Sequence, residues 1–416
     1  MKRRALVLLL TLTLVFSYIP MAAFAVEESS IIDGQDTSGH TLTLIQYDYD
    51  PDSCDIEDLG DGGHHQVTGE VVKYLFCEDE GCEAYFTEDL GETTVTEAHS
   101  YGSDSKCICG FENPDERIYG TSRYETAIAV ADRYKEATGS SKFKNIIVAY
   151  GENFPDALSG GYLAKVAKAP ILLVKPEVES DIIDYISKNL ASGGTVYLLG
   201  GTGVVRESFE KAVKNKGIRT KRLGGATRYD TNLAILKEAG VSNLDVLVCT
   251  GTGFADSLSA ASTGLPILLV DNTLTKGQQN YVSGLSTRTF YLIGGPTVVK
   301  PAIETGIKSK GHSQSQFKRL YGPTRYETST TIANEFFKNP TTVILASGQT
   351  FPDGLAGGPL AMIEEAPILL ALAVPDNTAA AREYVKSKDV AKSITLGGPI
   401  GKFLVSDLAV KVIMGR

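Results

Sequence analysis

The chain of 416 residues has no tryptophan, and its five histidines and six cysteines are crowded toward one end. Five of the cysteines and four of the histidines precede residue 117, which leaves His312 and Cys249 as the scarce titratable pair of the long remainder. A G-x-S-x-G elbow, a Walker A sequence and an HExxH pair are all absent, which removes the most recognisable routes to serine hydrolysis, nucleotide binding and zinc proteolysis. Past the N-terminal segment no stretch approaches 18 uninterrupted apolar residues, and residues 412–416 form neither an apolar tail nor a basic stop-transfer run. At 43% hydrophobic and 22% charged, the chain can still fill two to four globular cores.

Basic residues are outnumbered, 40 against 50, and a formal charge of −10 spread evenly would repel any anionic partner. The charge is not spread evenly. Residues 27–116 hold 24 Asp plus Glu against 2 Lys plus Arg, whereas residues 117–416 hold 26 against 35. The acidity belongs to an N-terminal module at −22, and the remainder, at +9, is free to meet an anionic polymer. Residues 1–25 read as a secretory signal: Lys2, Arg3 and Arg4 precede an apolar run from Ala5 to Ile19, and Ala23-Phe24-Ala25 gives a small-x-small cleavage site. An exported chain is expected, without a membrane partner once the signal is removed and without nucleic acid.

The remainder is repetitive. Strings beginning at Arg117 (RIYGTSRYETA), Arg222 (RLGGATRYDTN) and Arg319 (RLYGPTRYETS) are followed by blocks at Ile146, Val246 and Val343, each with a Phe-x-Asp. The apolar blocks APILLV at Ala169, LPILLV at Leu265 and APILLA at Ala366 come next, and blocks carrying Gly200-Gly201, Gly294-Gly295 and Gly397-Gly398 close the units. Four blocks in one order, three times, define units at 117–221, 222–318 and 319–416, after a module at 26–116. The short Val/Ile/Leu runs 145–149, 171–174 and 196–199 suit central parallel strands, and segments such as 181–186 have the spacing of a helix with one buried face. The fold class expected is α/β, with tandem β/α units that could each own a core, after a small β-rich module.

The RxxGxxRYxT, FPDALSG, APILLV and LLGG blocks resemble the type 2 cell wall binding repeat (CWB2) of Gram-positive surface and S-layer-associated proteins, over about 300 of the 416 residues. The resemblance implies three Rossmann-like units in a pseudo-threefold arrangement. It also implies non-covalent anchoring to an anionic cell wall polymer at the cell surface, with S-layer or other surface proteins as further partners and no cofactor for the repeats. Ala255 departs from the pattern by replacing the Pro of FPD, and residues 401–403 diverge.

The candidate polymer-binding residues are Arg123, Tyr124, Arg228, Tyr229, Arg325 and Tyr326, with Asp156, Asp256 and Asp353. The flanking Ser122/Glu125, Thr227/Asp230 and Thr324/Glu327 have capping-box spacing, which puts each Arg in a first helical turn, where the helix dipole disfavours a cation. Such an Arg needs a partner. Either it pairs with the recurrent Asp across a unit boundary, or its guanidinium fork reads phosphate or carboxylate on a polymer. Phe154, Phe254 and Phe351 read as core or interface plugs, and the aspartates as helix-start residues. The Gly-Gly pairs make tight turns or bind phosphate through backbone N–H groups. The alternative to a binder is a secreted wall-modifying hydrolase or transferase, whose general base would be one of the repeated aspartates.

In the N-terminal module, 41–45 reads as a strand and 71–86 as a hairpin turning at Glu78-Asp79-Glu80-Gly81. Cys77, Cys82, Cys107 and Cys109 form two pairs around it, with Cys54, His64, His65 and His99 nearby. They fit a zinc ribbon, while export favours disulfides; both readings stand. The acidic run Asp48 to Asp58 is expected to be a solvated face, the module a surface interaction or spacer domain, and Cys249 a buried apolar filler.

Overall fold

A computed structural model describes strands at 31–32, 35–36, 42–49, 55–58, 64–77 and 85–98, and residues 114–372, 375–398 and 404–415. They fall into two compact units, Met1–Asn113 and Pro114–Arg416. The signal segment lies outside the described residues, as do Cys54, Cys82, Cys107, Cys109, His99 and residues 401–403.

In the first unit a long strand, His64–Cys77, pairs antiparallel with Tyr85–Ala98 along one edge and with Leu42–Tyr49 and Asp55–Asp58 along the other. The expected hairpin is present, with Phe76 opposite Tyr85. Alternation places Val67 and Val71 on one face, fully buried with Val95, while Thr68 and Glu70 point to solvent. Opposite Val71 and Val72 the partner strand carries one extra residue, Leu90, and Gly91 takes φ 63° to make that bulge. The acidic segment Asp55–Asp58 forms an edge strand, with Glu57 exposed.

The second unit contains three four-stranded, wholly parallel sheets. Ile171–Val174, Ile267–Val270 and Ile368–Ala371 stand at one edge of each sheet, which corrects the expectation of a central position for 171–174, yet they are buried along their whole length. This is what unbroken apolar runs require when helices cover both faces. The arrangement departs from self-contained units at one point. The strand that opens each repeat does not join that repeat's own sheet: Arg219–Leu223 completes the first sheet beside Leu190–Leu199, and Phe317–Leu320 completes the second beside Phe290–Ile293. Asp115–Ile118, ahead of the first repeat, completes the third beside Lys392–Leu396. Three sheets thus close into a ring, sealed where the start of the unit meets its end.

The expectation that each unit could own its core holds in part: one buried cluster draws only on the second repeat and another only on the third, while the core at the axis is shared. One cluster of buried residues joins Val148, Leu158 and Leu198 of the first repeat to Leu258 of the second and Ile344, Leu360 and Leu396 of the third. The short helices after each Phe-x-Asp converge on the axis, and small residues allow it: a Cβ on Gly358 would lie 3.2 Å from the Ala261 Cβ. The threefold pattern is imperfect. Helices Gly161–Ala167 and Gly357–Ile363 have seven residues each, whereas the second repeat has a three-residue turn, Ala261–Thr263. Near this shortened turn lies a cavity of about 350 Å³ lined by residues that include Lys165, Thr263, Phe336 and Met362.

Candidate functional site at the threefold axis

Helices Arg123–Ala137, Arg228–Ala239 and Arg325–Phe336 each begin on the recurrent arginine, capped by Ser122, Thr227 and Thr324. The second and third have complete capping boxes; in the first, Ser122 accepts from the Glu125 N–H while the Glu125 carboxylate turns to Thr121. Each arginine donates through Nη1 to the carbonyl at the end of its own unit's strand: Arg123 to Gly151 (2.8 Å), Arg228 to Gly251 (2.5 Å) and Arg325 to Gly348 (2.5 Å).

The rest of each guanidinium faces the preceding unit. Arg228 lies over the ring of Phe154 at 5.7 Å, Arg325 over Phe254 at 5.6 Å, and Arg123 over Phe351 at 5.8 Å. The phenylalanines meet one another, with centroids 6.2 Å apart for Phe154–Phe254 and 5.7 Å for the other two pairs. They are interface plugs on the axis, and the arginines form a ring above them.

The aspartates stand in the same cyclic relation. Burial pushes the Asp156 carboxyl up to about 6, with Arg228 pulling it back down, and Asp256 up to about 6, with Arg325 opposing. Asp353 is raised by burial too, opposed by a hydrogen bond from Thr126 and by Arg123. Each carboxylate sits against the first glycine of its own unit's Gly-Gly pair. A Cβ on Gly200, Gly294 or Gly397 would fall 2.7 Å from the Oδ2 of Asp156, Asp256 or Asp353, and those glycines take φ near 100°, at 103°, 109° and 101°. The N–H of Gly200, Gly294 and Gly397 is given to the Leu223, Leu320 and Ile118 carbonyls, so the first glycine of each pair serves the tight turn.

The tyrosines turn inward. Tyr124 and Tyr326 are buried and Tyr229 nearly so, each ring edge so close to Gly151, Gly348 or Gly251 that a Cβ there would collide at 2.4 to 2.6 Å. The Tyr124 hydroxyl donates to Glu152, and the Tyr326 hydroxyl accepts from Gln349 at 3.3 Å. Their rings brace the strand end that receives the arginine, and of the three Tyr229 alone is partly exposed. Sequence reading passed over the residues that finish the motif. Thr126, Thr231 and Thr328 are buried, and each accepts the N–H of Gly120, Gly225 or Gly322 at 3.1 Å. Their constant spacing from the arginine was the available signal.

The units differ in one electrostatic respect. Glu152 stands 3.5 Å from Arg123, whereas Thr252 and Gln349 hold the matching positions, and among the described residues neither Arg228 nor Arg325 has a carboxylate within 4.0 Å. Cys249 is fully buried in its strand, as expected, and burial raises its thiol. Cys77 ends its strand, but its side chain and the other three cysteines of the metal proposal lie outside the described residues.

The repeats form a closed ring of three α/β units, with one arginine, one phenylalanine and one aspartate meeting at every junction. The signature of cell wall binding domain 2 (CWB2) matches residues 117–210, 222–304 and 319–401, more than half of the chain, and the chain belongs to that family. It is 25% identical over 294 residues to N-acetylmuramoyl-L-alanine amidase LytC of Bacillus subtilis (strain 168), covering 69% of this chain and 56% of the relative. It is 29% identical over 287 residues to the amidase enhancer of the same organism, covering 66% and 37%. The chain therefore spans about half or less of these relatives' lengths. Its fold is similar to that of Cwp8 from Clostridium difficile, with TM-score 0.66 at 22% identity over 91% of this chain and 63% of that one. Cwp6 from the same organism gives TM-score 0.61 at 19% identity over 86% and 58%.

Proposed function

We propose that this is an exported cell-surface protein held on the cell wall without a covalent bond, its three repeats binding an anionic wall polymer. The observation that carries the reading is the ring of Arg123, Arg228 and Arg325, repeated at three junctions of a basic, wall-binding fold. Two of these cations lack a carboxylate within 4.0 Å among the described residues, and Arg325 is exposed. Three linked sites of modest strength give retention far beyond any one of them, because binding the first raises the effective concentration of the others. The acidic module, sharing the polymer's sign, serves as a surface interaction or spacer domain that the polymer does not hold. Its cysteines hold zinc or form disulfides, which a metal assay beside a free-thiol titration on the purified chain distinguishes.

The hydrolase reading would use Asp156, Asp256 or Asp353, and each is half-buried beside a glycine turn and opposed by an arginine of the next unit or by Thr126. That geometry favours a binder. The mature full-length protein should sediment with purified walls and be released by added salt. Arg228→Gln combined with Arg325→Gln should reduce the bound fraction at least about tenfold while the fold persists. Equal retention by walls stripped of their secondary polymer would refute the reading, and soluble fragments released on long incubation would favour the enzyme instead.

A further inference from the structure

Two tyrosines are left over on the rim where the axial helices start. Tyr119 and Tyr321 hold the same place in the motifs of the first and third repeats, each directly after a strand end and four residues before the axial arginine. They are 52% and 51% exposed, and among the described residues no other tyrosine or phenylalanine is exposed. Neither hydroxyl has a hydrogen-bond partner and neither ring an aromatic neighbour among those residues. A single exposed ring is ordinary on a protein surface. Two in the same register of a threefold frame are not scattered.

Each ring is carried by fixed backbone. On one side the Ile118 and Leu320 carbonyls accept the N–H of Gly397 and Gly294 at 3.0 and 2.9 Å, and on the other Gly120 and Gly322 are tied to Thr126 and Thr328 at 3.1 Å. The rings flank the second glycine of each pair: a Cβ on Gly398 would lie 3.6 Å from the Tyr119 Cδ2, and one on Gly295 3.5 Å from the Tyr321 Cδ2. The first glycine of the same turn touches Asp353 or Asp256, the carboxylate opposed by Arg123 or Arg325. Tyrosine and axial arginine therefore border one turn, their Cα atoms at most about 14 Å apart. The remaining junction has no such ring. Gly224 stands there, and a Cβ on it would fall 2.7 Å from the Gly200 backbone. That junction closes all the same, with Leu199 opposite Leu223, so the tyrosines are not what closes the other two.

We propose that Tyr119 and Tyr321 are platforms on which sugar rings of the wall polymer lie, each beside the arginine of its junction. The inference rests on the polymer-binding reading and adds the unit recognised, a sugar ring next to an anionic group. A tyrosine presents a flat apolar body with a polar tip, which matches the C–H face and hydroxyl edge of a pyranose, while the arginine fork takes the anion. Because the backbone on both sides of each tyrosine is already bonded, little ordering remains to oppose the contact. The three junctions are then unequal: two offer ring and charge together, and the one at Gly224 and Arg228 offers charge alone.

The test is sedimentation of the mature full-length protein with purified walls over a range of salt. Tyr119→Ala with Tyr321→Ala should keep the thermal transition, since both side chains are exposed, and lower affinity about tenfold. Tyr119→Phe with Tyr321→Phe, which keeps the rings, should bind within about twofold of the parent. The alanine pair should leave the salt dependence unchanged, because no charge is removed. Should that pair unfold, the single alanine variants are read instead, each expected to lose about threefold. Soluble dextran sulfate should displace the parent from walls at a lower concentration of charge than polyphosphate, which has no sugar rings, and the alanine pair should lose that preference. A parent that does not sediment refutes polymer binding itself. A parent that sediments beside an equally retained alanine variant, or a phenylalanine pair as weak as the alanine pair, overturns the platforms and leaves that reading standing. Equal displacement by the two competitors overturns the sugar.

Discussion

Two arginines recur in every repeat, six residues apart, and the ring uses them in opposite ways. Arg117, Arg222 and Arg319 sit on the strand passed to the preceding sheet, where each donates to the first glycine of a Gly-Gly turn: Gly397 at 2.8 Å, Gly200 at 3.0 Å and Gly294 at 2.8 Å. Arg222 also reaches the Val205 carbonyl and the Glu210 carboxylate, and Arg117 grips Asp407 with two nitrogens. Burial lowers the proton affinity of Arg319, as expected of a guanidinium enclosed by protein. The axial set, Arg123, Arg228 and Arg325, spends one nitrogen on a carbonyl and turns the rest of the fork toward an aromatic face and the open end of the axis. The residue type is the same. What separates a structural arginine from an available one is how many acceptors the fold has placed around it.

The most direct way to break this comparison is Arg222→Met, which takes the guanidinium from Glu210, leaving it Lys214 and Thr220, and deprives two carbonyls of this donor. With both side chains largely buried, at 18% and 14% exposure, the loss should be about 3 kcal/mol in urea unfolding. A loss below about 1 kcal/mol would mean that the strand-borne arginines are as dispensable as the axial ones.

A somewhat smaller effect comes from the aspartates. Because burial raises Asp156 and Asp256 to about 6 from an ordinary 3.8, the folded chain keeps protons that the unfolded chain has already lost. Stability should therefore fall as pH rises from about 4 to about 6, with the penalty complete above that window. Asp156→Asn and Asp256→Asn should each stabilise the protein at pH 7 by about 2 kcal/mol, with the gain vanishing near pH 4. Urea unfolding at the two pH values checks this, and variants less stable than the parent at pH 7 would show that the axial arginines depend on their acidic neighbours.

Smaller still is the coupling across the ring. A double-mutant cycle of Phe254→Leu with Arg325→Gln should return about 0.5–1 kcal/mol, the worth of a partly exposed cation over an aromatic face. The least consequence is expected of Arg325→Lys, under about 0.5 kcal/mol in stability, which thermal unfolding would register as a shift of a few degrees at most. If that change instead cost several kilocalories, Arg325 would belong with the strand-borne set.

Much of this architecture can be read from the residues. Apolar runs such as Ile171–Val174 cannot be half-exposed, so they call for a parallel sheet covered on both faces, and capping residues mark where each helix starts. The passing of a strand from one repeat to the preceding sheet was not legible. Strands such as Asp115–Ile118 or Arg219–Leu223 carry no marker of which neighbour they pair with, because parallel pairing is set by the path of the chain between strands. The inward turn of the tyrosines escaped for a similar reason. Tyr124 follows the exposed end of a helix by one residue, and only the missing side chain of Gly151, 27 positions on, makes room for its ring. In the N-terminal module the hairpin at 71–86 was legible from its turn residues, but its strands run farther, His64–Cys77 and Tyr85–Ala98.

The closure of the ring has a consequence in time. Asp115 and Ser393, bonded side chain to side chain at 2.6 Å, are 278 positions apart, and the backbone joins them as well where Ser393 N–H meets the Pro114 carbonyl. A chain is made from its N-terminus, so the strand that seals the third sheet is the first of the eventual ring to emerge and the last to find its partner. Until then its edge is open, and the entropy of closing so long a loop must be met before the pairing returns anything. Each earlier sheet can be completed by the next repeat as it arrives; the last can be completed only by the beginning. The fold thereby counts its repeats: a chain interrupted after two is left with an unpaired strand at its head and no sheet to receive it.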